Sequence, residues 1–124
     1  FLYVEMLNSG ETSIRTVDFP YMDIILKYTS KTDGTAKTLW LDYNPAGGSN
    51  TWQVKSVYLE NGGSEILNPV RPSIPSGQWD PDEILEITIE LAAESAIDAS
   101  PGKALTIVAV TPNGVKTVYT HVFQ

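Results

Sequence analysis

The 124-residue chain contains no cysteine. Disulfide frameworks, thiolate-ligated metals and thiol catalysis are thereby excluded. It has a single histidine, His121, and no motif supplies that histidine with a nucleophile or an orienting acid. The nucleophile elbow G-x-S-x-G, the Walker A loop, G-x-G-x-x-G and H-E-x-x-H are all missing. Basic residues are scarce, with eight Lys and Arg against fifteen Asp and Glu, a formal net charge of −7. Phosphate backbones and anionic lipid surfaces are held by clustered Lys and Arg, so neither nucleic acid nor a membrane surface suits this chain. No apolar run approaches the ~20 residues that cross a bilayer as a helix.

What the sequence does have is a period of two. In EILEITIEL, Leu85, Ile87, Ile89 and Leu91 alternate with Glu86, Thr88 and Glu90, the signature of a half-buried strand. In YMDIILKY, Met22, Ile24, Leu26 and Tyr28 share one face. ALTIVAV and VKTVYTHVF are rich in β-branched and aromatic residues, and the Thr-Pro-Asn-Gly at 111–114 between them reads as a type I′ hairpin turn. Five of the eight Pro and eight of the nine Gly fall in the gaps at 8–10, 31–35, 44–50, 61–63, 68–77 and 100–102. The pattern predicts strands near 2–7, 12–17, 21–29, 37–43, 51–60, 64–70, 83–91, 104–110 and 115–123. LAAESAID (91–98) predicts at most one helical turn, and NPVRPSIPSG (68–77) a crossover between sheets. The fold class is all-β, a two-sheet immunoglobulin-like sandwich of eight or nine strands in one domain, 1–124.

Three groups of residues invite a functional reading. Asp80, Asp82 and Glu83 in QWDPDEIL could offer calcium several oxygens, but the spacing does not follow an EF-hand and Pro81 stiffens its middle. A solvated turn feeding the next strand accounts for them more simply. Trp40, Trp52 and Trp79 raise the idea of a carbohydrate platform, against the ordinary role of tryptophan as core filler. Trp40 alternates with Leu39 and Leu41 and therefore points away from them. Ile84 falls on the polar face of its strand with Glu86, Thr88 and Glu90, five residues after Trp79. An apolar spot rimmed by carboxylates is how a protein interface reads in sequence. The candidate partner-binding residues are therefore Trp79, Ile84, Glu86, Thr88 and Trp40. No catalytic residue, metal ligand or cofactor is expected.

One pattern is written twice. VEMLNSGETSI (4–14) and VYLENGGSEI (57–66) align Val4 with Val57, Met6 with Leu59, Asn8 with Asn61, Gly10 with Gly63 and Ile14 with Ile66, with one extra residue in the first copy. Asn-x-Gly after an alternating strand is a turn, because Asn closes it through its side chain and both residues tolerate positive φ. Two similar hairpins in one sandwich satisfy this pattern.

The order of the pieces MLNSGETSIRTVDFPYMDIILKY, VYLENGGSEILNP, QWDPDEIL and the closing TPNGV resembles the extracytoplasmic domains of archaeal flagellum (archaellum) accessory proteins, the F- and G-type stator proteins. The resemblance covers most of 1–124, although 29–52 has no counterpart in it. It implies an N-terminal membrane helix ahead of Phe1, with an immunoglobulin-like sandwich outside the cytoplasmic membrane. It also implies a non-enzymatic role, bracing the rotary motor against the surface layer through contacts with surface-layer protein, other archaellum proteins or a copy of itself. The wider superfamily of archaellins and type IV-like pilins, in which the sandwich forms the outside of a filament, is the alternative. A carbohydrate-binding module is the more distant one.

Overall fold

The computed structural model describes residues 1–59, 78–92 and 96–124. They form β1 (Leu2–Leu7), β2 (Ile14–Arg15), a 3-10 helix (Thr16–Tyr21), β3 (Asp23–Thr29), β4 (Ala36–Tyr43), β5 (Thr51–Leu59), β6 (Gln78–Trp79), β7 (Glu83–Glu90), β8 (Ala104–Val110) and β9 (Lys116–Val122). The strand expected at 64–70, the crossover at 68–77, most of the second Asn-x-Gly copy and the middle of 91–98 lie outside the described residues. Among the described residues no helix is long and apolar enough to cross a membrane.

Seven strands form one sheet in the order β1-β7-β5-β4-β3-β8-β9, and β2 pairs with β6 in a second, two-stranded sheet. The large sheet curls on itself, and its halves are the two layers of an all-β sandwich. The halves meet at a parallel link of two residue pairs, Asp42 with Thr51 and Tyr43 with Trp52. All other pairings in the sheet are antiparallel.

Alternation decides which side chains go inside. On β1, β7 and β5 the inward rows are Leu2–Ile89–Trp52, Val4–Ile87–Val54 and Met6–Leu85–Val57. Val54 and Val57 both point inward although three residues apart, because a bulge between Val54 and Ser56 adds one residue to the strand. On the other half the rows are Leu41–Ile24–Ala109 and Leu39–Leu26–Ile107. Side chains of both halves join one buried cluster. Leu85, Ile87, Ile89, Ile24 and Leu26 are fully buried, and Met22 is buried as well. Leu91 and Tyr28 are half-buried at the margin. Each fully buried Leu or Ile contributes about 1.5–3 kcal/mol of apolar transfer.

Two local expectations change. The strand expected over 12–17 shortens to Ile14–Arg15, and the chain turns into the 3-10 helix, which drives Phe19 into the core. Phe19 packs there at 6.4 Å, ring to ring, from both Tyr43 and Trp52. The 111–114 hairpin forms, but not as type I′. Only Gly114 takes positive φ, at 89°. Its N–H donates to Thr111 O at 2.9 Å, and the Thr111 N–H donates to Val115 O at 2.9 Å. Pro112 fixes a negative φ at the first turn position, so the chain makes a three-residue loop closed by a left-handed glycine.

Replacing Ile87 by Ala should cost about 2–5 kcal/mol, the range for a large-to-small change at a fully buried site. A denaturant titration measures it, and a loss below about 0.5 kcal/mol would put the core on the wrong face of β7.

Candidate interaction surface

Trp79 is not part of a surface. It is 5% exposed and belongs to the core cluster. It sits on β6 opposite Ile14, and its indole Nε1 donates to Glu83 O at 2.8 Å. The intervening Asp80–Pro81–Asp82 makes a tight turn, with Asp82 at φ 68° and the Glu83 N–H donating to Asp80 O at 3.1 Å. This turn folds the indole back onto the start of β7. Asn8, also buried, ties the same corner to β1. Its Nδ2 donates to Thr12 O at 3.0 Å and to Trp79 O at 3.3 Å, while its Oδ1 accepts the Gly10 N–H at 3.1 Å. The first Asn-x-Gly is therefore a turn, as its sequence implies, and also a clamp on a segment seventy residues away.

The acidic cluster serves the same corner. Glu83 is buried, not solvated as its sequence context suggests, and its Oε1 accepts the Asp80 N–H at 2.6 Å. Asp80 Oδ1 accepts the Ser13 hydroxyl, and Asp82 is exposed. Among the described residues no group of three or more His, Cys, Asp or Glu converges as metal ligands would. Carboxyls shaping turns recur elsewhere. Asp33 is held at a pKa of about 2, chiefly by the Thr35 hydroxyl and then by the Thr35 N–H. Asp98 is lowered in the same way by Ser100.

Ile84, Glu86 and Thr88 do lie on the outer face of β7, but this face is largely knitted together. Ile84 is half-buried, in register with Leu7 of β1 on one side and residue 58 of β5 on the other. Thr88 is buried. Glu86 stands opposite Glu5 on β1, a like-charge pair that costs energy alone. Lys55, the bulge residue, offsets it with Nζ 3.2 Å from Glu86 Oε1 and 5.4 Å from the Tyr3 ring centroid. The Ser56 hydroxyl donates to Glu86 Oε2 at 3.0 Å.

Trp40 lies on the other layer, so the five candidate residues do not form one site. It is 61% exposed, and its Nε1 donates to Asp23 Oδ1 at 3.2 Å. It heads a row that crosses four strands, Trp40–Ile25–Val108–Val118. The row of Lys27, Thr38, Thr106 and Thr120 beside it is polar. Sequence reading missed the end of this row. Every residue of β9 is exposed, on both faces, with Val118 54% and Tyr119 61% accessible. The inner side of β9 borders a groove of about 1010 Å³ that separates it from β1, lined among others by Val4, Met6, Ile107 and Tyr119. His121 lies on this side too, edge-on to Phe123 with centroids 5.1 Å apart.

Lys55→Met should lower stability by about 0.5–1 kcal/mol at neutral pH by removing the ion pair with Glu86. The loss should shrink in high salt, which screens that attraction. Chemical denaturation at two salt concentrations checks this, and a salt-independent loss would assign it to packing.

No protein-family model matches the chain, and no curated protein matches it significantly. Among the solved structures similar to it are two of archaellum stator proteins. One is the archaellum periplasmic stator protein complex of FlaF and FlaG from Sulfolobus acidocaldarius, with a TM-score of 0.57, 22% identity, and 96% of this chain and 75% of that one covered. The other is the archaellum periplasmic stator protein FlaG from the same organism, with a TM-score of 0.56, 20% identity, and 96% and 84% covered. The chain shares its fold, over nearly its whole length, with periplasmic stator proteins of the archaellum.

Proposed function

We propose that this chain is a non-enzymatic, protein-binding domain of an archaellum motor, standing outside the cytoplasmic membrane and bracing the motor against the surface layer. The observation that carries the reading is the fold it shares with archaellum periplasmic stator proteins over 96% of its length. The sequence resemblance in the order of the Asn-x-Gly, Trp-Asp-Pro-Asp-Glu and Thr-Pro-Asn-Gly pieces points the same way. The surface is consistent with a binding role, since an apolar row ending in an exposed tryptophan is what protein partners bury. In one of the similar structures two stator proteins form a complex with each other, and for this chain the partners we propose are surface-layer protein and other archaellum components.

Two faces compete for the contact. The Ile84 face is occupied by its own ion pair and hydrogen bonds, whereas Trp40, at one end of the other row, is 61% exposed although Val108 in the middle of that row is buried. Trp40→Ala should weaken capture of surface-layer protein at least tenfold, the loss of about 1.4 kcal/mol or more expected at a hot spot. Ile84→Lys, on the opposite layer, should leave capture within about threefold. A pull-down with purified surface-layer protein, with circular dichroism to verify folding, measures both. Loss in Ile84→Lys alone would move the contact to the β7 face. No binding by the folded wild type would contradict the bracing role.

A further inference from the structure

We infer that β9 is a self-recognition edge: two copies of this chain join β9 to β9, antiparallel and centred on Tyr119, so that their sheets run on into one. This holds independently of the motor assignment.

The backbone directions support it. The Phe123 N–H donates to Lys103 O at 2.9 Å, and Val115 O accepts from the Thr111 N–H at 2.9 Å. In an antiparallel ladder successive residues point their backbone groups to alternate sides. Residues 115, 117, 119, 121 and 123 therefore face β8. Lys116, Val118, Thr120 and Val122 direct four N–H and four C=O groups outward. β9 is the last strand of the sheet, and among the described residues no element pairs with that edge.

The strand carries little of what normally blocks such an edge. It has no proline and a single lysine, it runs for seven residues, and its register with β8 is unbroken by a bulge. Edge strands of this length usually carry charges, prolines or bulges against pairing. Instead it presents Val118 and Val122 on one side and Tyr119 on the other, all more than half exposed.

A second copy is the occupant that fits. The chain carries a net charge of −7, which opposes most copy-to-copy contacts, yet β9 contains no Asp or Glu. A two-fold centred on Tyr119 uses all seven residues. It sets Lys116 against the partner's Val122, and Val118 against the partner's Thr120. These are four hydrogen-bonded pairs, which satisfy all eight outward groups. Thr117 then meets the partner's His121 and Tyr119 meets the partner's Tyr119, with no like charges opposed. On the outer face the rows Trp40–Ile25–Val108–Val118 of the two copies come onto one continuous surface.

Because the chain has no cysteine, single substitutions read the register directly. At a non-hydrogen-bonded antiparallel pair the Cα atoms lie about 4.5 Å apart, inside the ~4.4–6.8 Å that a disulfide spans. Tyr119→Cys should therefore cross-link to a dimer under mild oxidation. Lys116→Cys, whose two copies would stand about 20 Å apart along the paired strands, should not. In sedimentation experiments the wild type should dimerise with concentration. Val118→Pro removes an outward N–H that the chain itself does not use, and should raise the dimer dissociation constant at least tenfold. A wild type that stays monomeric up to about 1 mM would overturn the inference. So would equal cross-linking of the two cysteine variants, or a folded Val118→Pro variant that dimerises as tightly as wild type. If Val118→Pro fails to fold, the cysteine pair decides the question alone.

Discussion

Everything in this fold turns on the corner between β4 and β5. Only two residue pairs, Asp42 with Thr51 and Tyr43 with Trp52, join the two halves of the sheet there. The connecting loop, NPAGGSN, is held from all sides. The Gly48 N–H donates to Glu90 Oε2 at 2.7 Å, the Thr51 hydroxyl to Gly48 O at 2.7 Å, and the Asn44 N–H to Trp52 O at 3.0 Å. Gly48 at φ 136° and Asn50 at φ 59° occupy backbone regions that most residues avoid. Trp52 sits fully buried behind this loop, 4.7 Å from the Tyr43 ring and against Phe19. The corner folds the sheet so that the inward rows of both halves share one core.

The same corner leaves the sheet open elsewhere. A seven-stranded sheet bent once has two ends, β1 and β9, and here they face each other across a groove instead of pairing. The β1 end is pinned by Asn8, which reaches Thr12 and Trp79. Among the described residues the β9 end has only its hairpin partner. Openness and the free edge are thus two consequences of one constraint. They leave an open groove on one side of β9 and an exposed strand edge on the other.

How much of this was legible depended on whether the cause was local. Leu85, Ile87 and Ile89 announce their burial because period two is a property of the strand itself. The turn at Asn8 is equally local, since its side chain accepts the Gly10 N–H two residues on. Trp79 misled because its burial depends on Asn8 and Ile14, which lie far away in the chain and which no window around it contains. Glu83 misled for a different reason: its carboxylate accepts the Asp80 N–H three residues away, inside a turn bent at Asp82, and alternation along the strand does not carry that turn. The type I′ reading at 111–114 gave Asn-Gly too much weight and the preceding Pro112 too little. β9 was read correctly as a strand, but its position at the sheet's end is a matter of topology, which alternation along one strand does not carry. The candidate surface split for a related reason: Ile84 and Trp40 alternate alike in sequence but belong to opposite layers.

The account as a whole rests on β9 being an unshared edge of an otherwise closed core. Amide hydrogen exchange, resolved residue by residue in a dilute sample, tests this most directly. The N–H groups of Thr117, Tyr119, His121 and Phe123 should be protected, and those of Lys116, Val118, Thr120 and Val122 should exchange fast. The fast set should slow as concentration rises. Uniform protection along the strand in the dilute monomer would show that β9 lies inside the sheet, and uniform fast exchange would show that it is not paired with β8; either result would contradict the account.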